Sequence, residues 1–60
     1  MKQFKMTIRM DNDAFFGQEV SQLADILREA AQSLFKGQIE GQCIDDNGNT
    51  VGSWAITEEE

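Results

Sequence analysis

Residues 39–56, IEGQCIDDNGNTVGSWAI, decide the fold, because they hold an Asn47-Gly48 pair between two segments that favour extended structure. Asn-Gly is typical of two-residue hairpin loops, since both loop residues of a type I′ turn adopt positive φ. The flanking segments alternate in side-chain character and contain no proline, as strands do. This stretch therefore predicts a β-hairpin rather than a ligand loop.

The register of the hairpin follows from its turn, because each residue before the Asn-Gly pair faces the residue equally far after it. Ile44 is then opposite Val51, and Gly41 is opposite Trp54, where the glycine leaves room for the indole. One face of the hairpin holds Ile39, Gly41, Cys43, Gly52, Trp54 and Ile56. The other holds Glu40, Gln42, Ile44, Val51, Ser53 and Ala55. A one-residue slip would scramble this division.

The rest of the chain shows one strand pattern and one helix pattern. Residues 2–10 alternate apolar and polar side chains, which predicts a half-buried strand. Residues 18–35 have the period of a helix, with Gly37 as its left-handed stop and Gln22 on its polar side. The apolar stripe expected to face the sheet is Val20, Leu23, Ala24, Leu27, Ala30, Ala31 and Leu34.

Three large apolar residues fall outside these patterns. Ile26 lies roughly 100° from the centre of the helical stripe. Phe15 and Phe16, in the segment DNDAFFG before the helix, are too apolar for a free loop. We expect both phenylalanines to close one end of the core with Ile26 packed beneath them; the alternative is that Ile26 contacts a partner.

The order of elements predicts an α+β fold of β-α-β-β type, a three-stranded, mainly antiparallel sheet with one amphipathic helix on one face. We expect the third strand to lie centrally, between the first and the second. The alternative places the first strand beside the second, in parallel. Residues 1–57 then form a single domain, and residues 58–60, all glutamate, form an acidic tail.

Composition limits the possible functions. The net charge is −6, with only five basic residues, so the chain lacks the basic face of a direct nucleic-acid binder. One cysteine and no histidine argue against an internal disulfide and a usual zinc site, and suit a reducing compartment. No apolar run approaches a membrane span or a secretory signal. We therefore expect a cytoplasmic protein that binds neither nucleic acid nor membranes directly.

No set of residues points to catalysis, a metal or another cofactor. Asp45–Asn49 lacks the glycine and glutamate spacing of an EF-hand loop, although a metal-binding module remains an alternative. Cys43 has no histidine as a base and falls on the predicted core face. Asp25 and Glu29 lie on the solvent side of the predicted helix, without a cleft for a substrate. We expect a non-enzymatic protein without a cofactor.

Two surfaces remain as candidates for a protein partner. The first is acidic and suits a partner with a basic surface; its carboxylates are Asp11, Asp13, Asp25, Glu29, Asp45 and Asp46. The second is an apolar strip on the sheet face away from the helix, made by Val51 and Ala55 and flanked by Thr7 and Ile44. An apolar centre with a polar rim is typical of interfaces, so this strip suits a homodimer. Solubility and an ordinary solvated sheet face are the plainer explanations.

The segments FKMTIRMDNDAF (4–15), LFKG (34–37) and DDNGNTVGSW (45–54) together resemble small acidic proteins encoded by phages and prophages. The resemblance implies an inhibitor of a host defence or nucleic-acid-handling complex, as anti-CRISPR and other anti-defence proteins are, acting in the host cytoplasm. It carries over no catalytic residue. The carboxylates of this chain would then occupy a basic nucleic-acid channel of the host complex in place of phosphates. The alternative is a self-associating structural or regulatory protein without a defence role.

Overall fold

The computed structural model describes residues 1–58 and contains three strands, one long helix and one turn of 3-10 helix. In chain order these are β1 (Lys2–Ile8), the 3-10 turn (Asp13–Phe15), α1 (Glu19–Phe35), β2 (Glu40–Ile44) and β3 (Thr50–Glu58). The sheet order is β1-β3-β2, with both pairs antiparallel. The predicted α+β fold and its central third strand are confirmed, and the parallel alternative is wrong.

The C-terminal end of β3 extends the sheet beyond the predicted domain boundary. Glu58 is the last residue of β3 and pairs with Lys2 of β1. Its carboxylate also lies 3.7 Å from the N-terminal ammonium group of Met1. The first residue of the predicted acidic tail is therefore part of the sheet, and residues 59 and 60 lie outside the described residues.

The turn between β2 and β3 has three loop residues, 46–48, instead of the predicted two. Gly48, with φ 82°, is the only loop residue with positive φ, so a type I′ turn at Asn47-Gly48 is wrong. The Gly48 amide donates to the Asp45 carbonyl at 3.0 Å, and the Asp45 amide donates to the Asn49 carbonyl at 3.0 Å. Three-residue loops commonly end in such a left-handed glycine.

This larger loop shifts one residue of the register. Gly41 pairs with Trp54 and Cys43 with Gly52, as predicted, but Ile44 pairs with Thr50 and not with Val51. Val51 is thus an extra residue in β3, at a β-bulge. Its side chain is buried, with 2% exposure, so its predicted place on the exposed sheet face is wrong.

The core lies between α1, the 3-10 turn and the inner sheet face. Trp54 packs there beside Gly41, and its ring centroid lies 5.9 Å from that of Phe4. The buried cluster comprises Ala14, Phe15, Ile26, Ala30, Cys43, Val51 and Trp54, with Met6 and Ile8 against it. Ile26 joins Phe15 in this cluster as expected. Phe16 does not, because its side chain is 85% exposed.

The buried side of α1 differs from the predicted stripe. The helix buries Gln22, Ile26 and Ala30, whereas Val20 is 84% exposed and Leu27 also remains exposed. The helix is therefore rotated by roughly 100° about its axis relative to the prediction. The physical reason is that apolar residues cover about half of its circumference, so their periodicity alone does not select the side that meets the sheet.

Candidate functional site

Asp45 organises the loop between β2 and β3 through three hydrogen bonds to its carboxylate. The amides of Asn47 and Asn49 each donate to Oδ1 at 2.9 Å, and the side-chain amide of Asn12 donates to Oδ2 at 2.6 Å. Asn12 also caps the 3-10 turn, because its Oδ1 accepts from the Ala14 amide at 3.1 Å. Asp45 is buried, and its role is to join this loop to the segment before α1.

These hydrogen bonds set the ionisation of Asp45. Burial by itself raises the pKa of the carboxyl, but the hydrogen bonds from Asn49, Asn12 and Asn47 outweigh it and hold the pKa below its ordinary value. Each donor stabilises the charged form. Asp45 is therefore a fixed negative charge at neutral pH.

Gln22 joins α1 to the same loop. Its side chain is buried, and Oε1 accepts from the Asp46 amide at 3.3 Å. The sequence pattern placed Gln22 on the polar side of the predicted helix. The position of Asp45 two residues before Asn47 is the one sequence signal for its role in the loop, because Asp side chains commonly accept a hydrogen bond from the amide two residues later. Nothing in the sequence pattern pairs Asn12 or Gln22 with this loop.

A groove of about 310 Å³ runs between α1 and the β2–β3 loop, and we call it the acidic groove. Its lining carries four carboxylates and one guanidinium. The lining residues are Gln22, Asp25, Ile26, Arg28, Glu29, Ile44, Asp45 and Asp46. Arg28 Nη1 lies 3.7 Å from Asp25 Oδ1, in a pair whose side chains are both mostly exposed and which therefore contributes little to stability.

The acidic groove brings together four of the six acids predicted to bind a partner: Asp25, Glu29, Asp45 and Asp46. Asp11 and Asp13 do not line it. They are exposed on either side of Asn12, whose amide reaches Asp45. The fold thus brings acids from two segments that are distant in the sequence together on one concave surface.

The structure does not form the predicted apolar strip. Thr7 is exposed and Ala55 is half-buried on the outer sheet face, but Val51 is in the core and Ile44 lines the acidic groove. The remaining neighbours on the outer face are polar, because Lys5 and Glu40 flank Ala55 and Ser53 lies between Thr7 and Gln42. The one-residue bulge at Val51 is the reason for this difference.

The groove offers charge and shape but no prepared nucleophile. Cys43 is buried, as predicted, and burial raises the pKa of its thiol, which stays protonated at neutral pH. Among residues 1–58, no group of three or more Cys, Asp or Glu side chains is placed to hold a metal ion. In the same part of the chain, no helix is both long and apolar enough to cross a membrane.

Comparisons with models of protein families, with curated proteins and with solved structures found no match to this chain.

Proposed function

We propose that this chain is a non-enzymatic protein-binding module that docks its acidic groove onto a basic surface of a protein partner. The observation that carries the proposal is the convergence of Asp25 and Glu29 from α1 with Asp45 and Asp46 from the hairpin loop. The two pairs are 16 or more positions apart along the chain, so their meeting depends on the fold.

The groove suits a cationic side chain of a partner. The Glu29 and Asp46 side chains are exposed and free to accept charge-assisted hydrogen bonds, for which arginine is the best-matched donor. Asp45 is held in place by its three hydrogen-bond donors and adds a fixed negative charge to the groove. A concave surface with one sign of charge also raises the rate of association with an oppositely charged partner.

The charges of the whole sheet favour one docking orientation. The edge strand β1 carries Lys2 and Lys5, and Arg9 follows it, whereas β2 at the other edge borders the acidic groove. Basic and acidic groups thus lie at opposite edges of one small sheet. A basic partner surface attracts the groove side and repels the β1 side, which orients the encounter.

The partner class that fits best is a host protein with a basic nucleic-acid channel. The resemblance to small acidic phage proteins supports this class, as does the ability of grouped carboxylates to occupy positions made for phosphates. In this proposal the chain acts in the host cytoplasm as an inhibitor of a defence or nucleic-acid-handling complex, and it competes with the nucleic acid rather than binding it.

The test is capture of partners from host lysate with the immobilised full chain and two matched variants. Asp25→Asn with Glu29→Gln removes two charges from the groove, and Glu19→Gln with Glu40→Gln removes two charges elsewhere. We expect a partner with a basic surface to be captured by the wild type and the control, and to be lost with the groove variant.

Salt and competition complete this test. We expect affinity for the captured partner to fall about tenfold or more between 50 and 500 mM salt, because exposed charges are screened over a few ångströms at high ionic strength. Nucleic acid that fills the partner's channel should displace the chain. Capture that is equal for both variants and insensitive to salt would contradict the proposal.

A further inference from the structure

One side of α1 presents an apolar row to solvent, and we call this row the α1 flank. It comprises Val20, Ala24, Leu27, Ala31 and Leu34, all of them exposed. Successive members are four and three residues apart in alternation. The flank lies roughly 120° around the helix from the side that meets the sheet, so it takes no part in the core.

This spacing is that of a coiled-coil seam. Apolar residues separated alternately by three and four positions average 3.5 residues, and two such helices pack along the row with interlocking side chains. Helix amphipathicity toward the sheet is already satisfied by Ile26 and Ala30. A second apolar row on the same helix therefore indicates a second packing partner.

The molecule also exposes more surface than a compact chain of its mass. Its accessible surface is 4548 Å², whereas about 4,000 Å² is typical of a folded monomer of 6.8 kDa. The radius of gyration is 12.3 Å, against about 10.4 Å for a compact domain of this length. Both differences follow from the elongated shape of the chain, 39 × 23 × 17 Å, which leaves the α1 flank on an open side of the molecule.

We propose that the α1 flank is the interface of a homodimer, in which the α1 helices of two copies pack antiparallel about a two-fold axis. The charges at the helix ends select this arrangement. Glu19 begins α1 and Lys36 caps its C-terminus, so antiparallel packing brings opposite charges and opposed helix dipoles together at both ends. Parallel packing would bring like charges together.

The flank is also self-complementary in shape. An axis near Leu27 places Val20 of one copy near Leu34 of the other, and Ala24 near Ala31. Two alanines in the seam allow the helix axes to approach closely. Phe35, which is 92% exposed at the end of α1, then covers the N-terminal end of the second copy's helix.

The flank can form the apolar centre of a small interface. The exposed fractions of Val20, Leu27, Leu34 and Phe35 correspond to roughly 400 Å² of apolar surface per chain. Specific interfaces bury from about 600 Å² per partner upward, polar rim included, and a helix of 17 residues supplies a seam of about 25 Å. A second copy of this chain brings the same exposed row and needs no other component.

The dimer leaves the acidic groove open. Asp25 and Glu29 lie on the side of α1 away from the flank, so each copy keeps its groove accessible. The proposal is independent of the proposed partner. The two also respond differently to salt, because an apolar seam between two acidic chains is not weakened by screening, whereas contact of the groove with a basic surface is.

Sedimentation velocity of the full chain from 1 μM to 1 mM tests the proposal. We expect a species of twice the 6.8 kDa chain mass in the wild type. Leu27→Glu or Ala31→Glu should weaken dimerisation at least 100-fold, while circular dichroism shows an intact helix. Gln32→Glu adds the same charge to the exposed opposite side of α1 and should not affect the dimer.

Cysteine cross-linking tests the orientation. We expect a mixture of Val20→Cys and Leu34→Cys chains to form a disulfide between the two variants, and Val20→Cys alone to form almost none. A monomer at all concentrations would overturn the proposal, as would a dimer that survives Leu27→Glu but is lost with Ala55→Lys on the outer sheet face. Cross-linking of Val20→Cys with itself would overturn the antiparallel arrangement.

Discussion

Gly52 and Gly41 lie on β-strands at positions where a side chain has no space. A Cβ atom at Gly52 would overlap the carbonyl oxygen of Thr7 in the neighbouring strand. A Cβ atom at Gly41 would lie 2.8 Å from Nε1 of Trp54. At Gly52 the overlap is with backbone atoms, so a side chain there requires the strands to move apart. At Gly41 the overlap is with the rigid indole ring in the core, so a side chain there requires Trp54 to move.

We predict that Gly52→Ala destabilises the protein by more than about 3 kcal/mol and that Gly41→Ala costs about 1–3 kcal/mol, because overpacking against backbone is relieved less easily. Urea unfolding followed by Trp54 fluorescence measures both. Ser53→Ala on the exposed face is the control and should change stability by less than about 0.5 kcal/mol. Equal effects of all three changes would contradict the packing.

Asp45 makes stability depend on pH at the acid end. Its pKa is lowered in the folded state, so its contribution is complete above the ordinary carboxyl pKa of about 4 and is lost as pH falls through the folded value. We predict that Asp45→Asn removes part of the acid sensitivity seen below about pH 4. The melting temperature measured from pH 7 to pH 2 checks this.

The neighbouring change Asp46→Asn serves as the control for Asp45. Its side chain is exposed, and its backbone amide bonds to Gln22 whatever the side chain is. The acid sensitivity of Asp46→Asn should therefore resemble that of the wild type. A loss of acid sensitivity in Asp46→Asn but not in Asp45→Asn would show that the assignment to Asp45 is wrong.

Among the elements, the hairpin could be predicted from the sequence but its loop could not. Asn47-Gly48 indicates a turn, and residues far from it, Gly41 and Trp54, pair as predicted. The loop length depends on whether the carboxylate of Asp45 accepts hydrogen bonds from the following amides, which favours a three-residue loop over the two-residue type I′ turn. The resulting bulge moves Val51 from one face to the other.

We predict that Val51→Ala lowers the free energy of unfolding by about 1–3 kcal/mol, because it opens a cavity in the core. Ile44→Ala should lower the free energy of unfolding by less than about 1 kcal/mol, because the Ile44 side chain is 38% exposed. Urea unfolding of both variants measures the difference. Equally small costs for both variants would support the register predicted from the sequence, in which both residues lie on the outer face.

The helix was predictable in its position but not in its rotation. Its period and its Gly37 stop are local, and Gly37 has the expected positive φ of 90°. Which side it buries depends on its contacts with Phe15, with the hairpin loop through Gln22 and with the sheet, and the helix periodicity does not show these contacts. Four of the six acids expected to bind a partner line one groove, and their convergence required the tertiary structure.

We predict that Ile26→Ala destabilises the monomer by about 2–5 kcal/mol, whereas Leu34→Ala at low chain concentration costs less than about 1 kcal/mol. Ile26 is almost fully buried, and Leu34 lies on the flank. Thermal unfolding at a few micromolar measures both. If Leu34→Ala destabilises the protein more than Ile26→Ala does, the buried side of α1 is the stripe that the sequence predicted.

At the scale of the whole molecule, a chain of 60 residues buries only about 60% of its unfolded surface and has a small stability margin. It has no disulfide, since its one cysteine is buried and free. In the proposed dimer, self-association through the α1 flank supplies apolar burial that the monomer lacks. Folding and dimerisation are then coupled by mass action.

This coupling makes the melting temperature depend on chain concentration. For unfolding of a dimer of this size, each tenfold increase in concentration raises the melting temperature by about 5 °C. We predict this rise for the wild type and for Gln32→Glu, and a constant melting temperature for Leu27→Glu, which should unfold as a monomer. Calorimetry from 10 μM to 1 mM checks all three. If the melting temperature of the wild type does not change with concentration, the monomer alone accounts for the stability of the protein. Dimerisation would then not explain why the apolar flank is exposed.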